Sequence, residues 1–153
     1  MSRLLVGKDD HPEAARKHFD DARVLSDASR LDGAAYHAGY VVECSLKAIV
    51  LHDRSYEPAT GKTDSAELAA WHKTLCGRKF GHDLAVILAA SVGPEGARYF
   101  PPLHGRASVV TDWTETMRYW APGEVREPQV SAFLNWAEVA VGSVVQMQLD
   151  GVI

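Results

Sequence analysis

Residues 32–51, DGAAYHAGYVVECSLKAIVL, constrain the fold more than any other stretch of the chain. At helical spacing one face carries Ala35, Ala38, Gly39, Val42, Leu46 and Ile49. The other carries Val41, Cys44, Ala48 and Leu51. A helix that is apolar on both sides belongs at the centre of a bundle. The small residues Ala34, Ala35, Ala38 and Gly39 let a neighbour come close. The run approaches bilayer length, but His37, Glu43 and Lys47 inside it argue against a membrane span. At 100° per residue, Glu43 and Lys47 share one narrow stripe with Tyr36, Tyr40 and Arg54. The central helix therefore has a single polar seam.

The rest of the chain supplies partners for it. Asp10 as N-cap and Pro12 in the first turn start a helix near His11. Ala15, His18, Phe19, Ala22 and Leu25 recur along it, and it is expected to end around Ser29. Asp32 is the natural cap of the central helix. Residues 54–80 read as an insertion, with a short helix over Ser65–Leu75. A third core helix begins in GHDLAVILAAS, with Asp83 in its first turn. After a loop holding Pro101 and Pro102, a fourth helix is expected from about Arg106 to Tyr119. A fifth runs from about Pro128 to Leu149, with Val130, Phe133, Leu134, Ala137, Val141, Val144 and Val145 as its stripe. No strand pattern is visible. The expectation is one all-α domain over 1–153, an up-and-down bundle of about five core helices.

Composition narrows the function. A formal charge of −4 gives no general basic field, so a nucleic-acid partner would need a local basic patch. The two cysteines, Cys44 and Cys76, make no disulfide framework, which fits a reducing compartment. The N-terminal residues contain no long apolar run, so no signal peptide is expected and the expected location is cytoplasmic. GKT at 61–63 lacks the upstream glycine of a phosphate loop. The seven histidines show no zinc-site spacing, so neither metal nor cofactor is expected.

HFDDARVLSDASRLDGAAYHAGYVVECSLKA resembles the first two helices of the HEPN (higher eukaryotes and prokaryotes nucleotide-binding) domain family. GHDL resembles the start of that family's third helix, and TMRYWAP its Arg-Tyr turn after the fourth. The resemblance implies a small helical bundle, often a homodimer. It also implies a role with a nucleotidyltransferase-like partner in a toxin–antitoxin or defence system, with a nucleotide or RNA as ligand.

On that reading Glu43, Lys47, Arg118 and Tyr119 line a binding groove. Lys47 would meet a phosphate and Glu43 would hold a cationic neighbour, for which Arg118 is the candidate. Tyr119 or Trp120 would stack on a base. The plainer reading makes Glu43–Lys47 an i,i+4 salt bridge, and Arg118 a cation complementing a helix C-terminus. Some family members are metal-independent ribonucleases with an arginine followed four to six residues later by a histidine. Arg98 and His104 fit that spacing, the histidine to move a proton and the arginine to stabilise a charged transition state. Tyr99 and the two prolines between them depart from the family pattern. Arg30 and His37 also fit the spacing, but straddle a turn where the family keeps no site. A structural adaptor without ligand is the remaining alternative.

Overall fold

The computed structural model describes residues 5–6, 9–53, 70, 73, 81–91, 93, 98–100 and 112–153. They form an all-α unit. Helix α1 is His11–Asp27, α2 is Leu31–Asp53, α3 is Leu84–Ala90 and α4 is Glu127–Leu149, with a 3₁₀ turn at Glu115–Tyr119 before α4. A two-residue antiparallel pair precedes them, Leu5 opposite Asp10 and Val6 opposite Asp9. It is too short to carry the alternation by which a strand is read from sequence.

Helix α1 starts as its sequence dictates. The Asp10 carboxylate accepts from the Glu13 N–H at 3.3 Å, and Pro12 occupies the first turn. Its end is a Schellman motif. The Arg30 N–H reaches back to the Leu25 carbonyl at 2.8 Å and the Ser29 N–H to Ser26 at 2.9 Å. Ser29 takes φ 56°, the left-handed conformation usually given to glycine, so this sharp reversal holds local strain. The three residues between the helices make α1 and α2 a helical hairpin.

Helix α2 is the central rod. Ala34, Ala38, Val41, Leu46, Ile49 and Leu51 are among its fully buried residues, and α1, α3, α4 and the 3₁₀ turn all pack on it. The α4 stripe is largely as expected, with Val130, Phe133, Ala137, Val141 and Val144 buried and Trp136, Ala140 and Met147 added to it. Leu134 and Val145 are only partly buried.

Three local expectations change. Asp32 does not cap α2, which begins one residue earlier. Its carboxylate instead accepts from the N–H groups of Gly123 at 2.8 Å and Val125 at 3.0 Å. Asp83 is the N-cap of α3 rather than a first-turn residue, accepting from the Val86 N–H at 3.1 Å. The fourth helix is not continuous up to Tyr119. Thr114 is extended (φ −142°, ψ 146°), and its hydroxyl accepts from the Thr116 N–H to open a separate 3₁₀ turn. Just before it, the Trp113 indole is buried against α2 and donates to the Tyr36 carbonyl at 3.1 Å. Gly39 makes that fit possible, because a Cβ there would fall inside the indole. Of the expected helix Ser65–Leu75 only Ala70 and Lys73 are described, both helical; its other residues, the Pro101–Pro102 loop, Arg54 and Cys76 lie outside the described residues. Among the described residues no helix is long and apolar enough to cross a membrane.

Candidate functional site

The polar seam of α2 exists, and its residues are linked from end to end. At the C-terminal end Glu43 is buried, and Lys47 Nζ meets its Oε1 at 2.6 Å. His82, from the turn before α3, points Nδ1 at both oxygens of the same carboxylate, at 3.1 and 3.0 Å. The His82 ring stands edge-on to Tyr40 with centroids 5.7 Å apart. The Tyr36 hydroxyl donates to the Tyr40 hydroxyl at 3.3 Å, and Arg118 Nη1 donates to Tyr36 Oη at 3.5 Å. Burial pushes the Tyr40 hydroxyl well above the usual phenol range, with the Tyr36 bond acting in the same direction, so Tyr40 stays a neutral donor and acceptor.

This geometry corrects one expected pairing. The side chains that meet Glu43 are Lys47 and His82, not Arg118. Tyr36 and Lys47 are eleven residues apart on α2, about 16 Å along the axis at ~1.5 Å per residue. Arg118 and Lys47 thus mark opposite ends of one seam rather than two walls of one hollow.

The hollow lies at the Arg118 end. A groove of about 460 Å³ runs between the α1–α2 turn and the 3₁₀ segment, with Arg30, Tyr36, Arg118, Trp120 and Gly123 in its lining. The Asp32 carboxylate builds it, because its two bonds tie the Gly123–Val125 turn to the start of α2. Those same bonds hold its carboxyl below the usual range, so it stays ionised and occupied. Arg30 and Arg118 make no ion pair with any carboxylate among the described residues. Trp120 is 42% exposed beside them. The groove thus has in its lining two arginines without carboxylate partners and a part-exposed indole, the kinds of side chain that can pair with or stack on a planar anion. Tyr119 lies outside this lining, 78% exposed, with the Arg118 guanidinium 5.1 Å above its ring. Of Tyr119 and Trp120, only Trp120 lines the groove. Trp113 and Trp136 are core residues.

Of the arginine–histidine pair, Arg98 has its guanidinium 3.8 Å from Asp150 and 5.0 Å from the Tyr99 ring centroid, and it is not part of the groove lining. His104 lies outside the described residues. The sequence offers Arg30 only through its spacing to His37, and His82 only within GHDL. Neither signal shows the partner that gives it meaning.

A comparison of the chain with family models, with curated proteins and with solved structures finds no match.

Proposed function

We propose that this protein is a HEPN-like, nucleotide- or RNA-binding component of a toxin–antitoxin or defence system, acting with a nucleotidyltransferase-like partner and as a homodimer. The ligand sits in the groove between the α1–α2 turn and the 3₁₀ segment. Arg118 and Arg30 take phosphate oxygens, and Trp120 stacks on a base. Lys47, Glu43 and His82 fix the far end of the seam and bind no ligand phosphate directly. One observation carries this reading: two guanidiniums without carboxylate partners face a groove that also holds an open indole. The resemblance in the first two helices supports the choice of a nucleotide over other anions.

Thermal unfolding with and without ligand tests it. A ligand present at a hundred times its Kd adds about 2.7 kcal/mol to the unfolding free energy. ATP, GTP and a short single-stranded RNA are the probes. Stabilisation by one of them, lost in Arg118→Ala and in Arg30→Ala, is the expected result. No shift with any of them at millimolar concentration refutes nucleotide binding and leaves an adaptor.

A further inference from the structure

Beside the seam, on the α1–α2 hairpin, the side chains of His18, Asp21 and His37 bring three metal-type donor atoms within 4.8 Å of one another. Nothing in the proposed nucleotide groove uses them. His18 and Asp21 are one helical turn apart on α1, and His37 faces them from α2. The two Nδ1 atoms are 3.0 Å apart, and the Asp21 Oδ2 is 3.9 Å from His37 Nδ1. We propose that His18 Nδ1, His37 Nδ1 and an Asp21 carboxylate oxygen form a binding site for a zinc-class divalent cation.

The spacing suits the ion. Bonds of roughly 2.0–2.1 Å in a tetrahedron place neighbouring donors about 3.3 Å apart. The two nitrogens are already at that separation within a few tenths of an ångström, and a rotation of Asp21, 3.9 Å from His37 Nδ1 and within 4.8 Å of both rings' donors, closes the other two edges. Two imidazoles and one carboxylate select zinc and its late first-row neighbours, whereas magnesium and calcium prefer all-oxygen sets. Three protein ligands leave a fourth position for water or an exogenous donor.

The surroundings preorganise both rings. His18 stacks on Tyr40 with centroids 5.1 Å apart and planes 26° from parallel. His37 meets the edge of Tyr36 at 5.6 Å and 85°. Both residues are half-buried, and that burial, aided at His18 by the neighbouring His37 and at both by Lys17, keeps their imidazoles below the usual value of 6.5 despite the opposing pull of Asp21. They therefore offer neutral lone pairs near pH 7, the form a metal needs. The sequence hid this site because its donors do not follow the Cys/His spacing of familiar zinc motifs. Two helices bring together residues nineteen apart.

A direct Nδ1–H···Nδ1 hydrogen bond is the competing explanation of the short contact, and metal titration separates the two. Untagged protein, stripped with chelator, is titrated with Zn²⁺ by calorimetry and with Co²⁺ by visible absorption. The proposal predicts one ion per chain, tetrahedral-type Co²⁺ bands, and an affinity loss of about 10-fold or more in His18→Ala, His37→Ala and Asp21→Asn. Imidazole NMR resonances of the unsubstituted protein give a readout that does not depend on the variants folding. His18 and His37 are expected to shift at one equivalent of Zn²⁺, ahead of the other histidines. Binding absent at ~1 mM Zn²⁺, shifts confined to other histidines, or an affinity untouched by the three substitutions overturns the site.

Discussion

Replacing Glu43 by glutamine tests whether the seam is a buried ionic network or a surface pair. The Glu43 side chain is 3% exposed and the Lys47 side chain 12%. At 2.6 Å and an effective dielectric constant of about 20, their gross attraction is about 6 kcal/mol, most of it offset by desolvation of both groups. Glutamine keeps the shape and one acceptor but removes the charge. Lys47 then keeps its desolvation penalty without its counter-ion, which costs about 3–5 kcal/mol in buried pairs. His82 is 41% exposed and can rehydrate, so the expected loss is at the lower end, about 3 kcal/mol. Urea denaturation followed by far-UV circular dichroism measures it as a lower midpoint at unchanged m-value. Glu43→Gln combined with Lys47→Met removes the stranded ammonium, and at least half of the loss should return, giving a clear coupling energy in the double-mutant cycle. A loss under about 0.5 kcal/mol, the worth of an exposed i,i+4 pair, refutes the reasoning.

Gly39→Ala drives a methyl group into the Trp113 indole. The helix-propensity gain of about 1 kcal/mol is outweighed by overpacking and the lost indole bond, for a net loss of about 2 kcal/mol with a shifted tryptophan emission. Ser29→Gly relieves the left-handed residue of the Schellman motif and should raise the unfolding free energy by about 1 kcal/mol, seen as a higher Tm. Stability should also depend on pH near 6. His18 and His37 have folded-state values below 6.5, mainly through burial, so the unfolded chain binds more protons as the pH falls. Their contribution is complete above 6.5 and is lost as the pH drops from there through the lowered folded values. In the double variant His18→Gln/His37→Gln, a Tm–pH profile should flatten over that window; an unchanged slope would remove the two histidines as its source.

What the sequence disclosed follows the range of the interaction. Asp10, Pro12 and the apolar stripes are local signals, and helices α1, α2 and α4 appear close to where those signals put them. The seam of Tyr36, Tyr40, Glu43 and Lys47 was legible for the same reason, since helical geometry alone lines those side chains up. The 3₁₀ segment was not, because Trp113 is held by a notch at Gly39 far away in sequence, and the Thr114 hydroxyl restarts the chain locally. Asp32 misled for a similar reason. A carboxylate at a helix start reads as a cap, and nothing nearby in sequence shows that the N–H groups of Gly123 and Val125 will claim it. The groove depends on that long-range clamp, so Arg30, Arg118 and Trp120 could be listed from sequence but not assembled. His82 and Glu43 are thirty-nine positions apart, and only the fold makes them partners.

The most direct test of the groove is the intrinsic fluorescence of Trp120 during titration with ATP and with a short single-stranded RNA. The account predicts saturable quenching that vanishes in Trp120→Phe, and a Kd raised about 10- to 100-fold in Arg118→Ala, the worth of one charge-assisted phosphate contact. Quenching that persists in Trp120→Phe, or an affinity indifferent to Arg118, would contradict it.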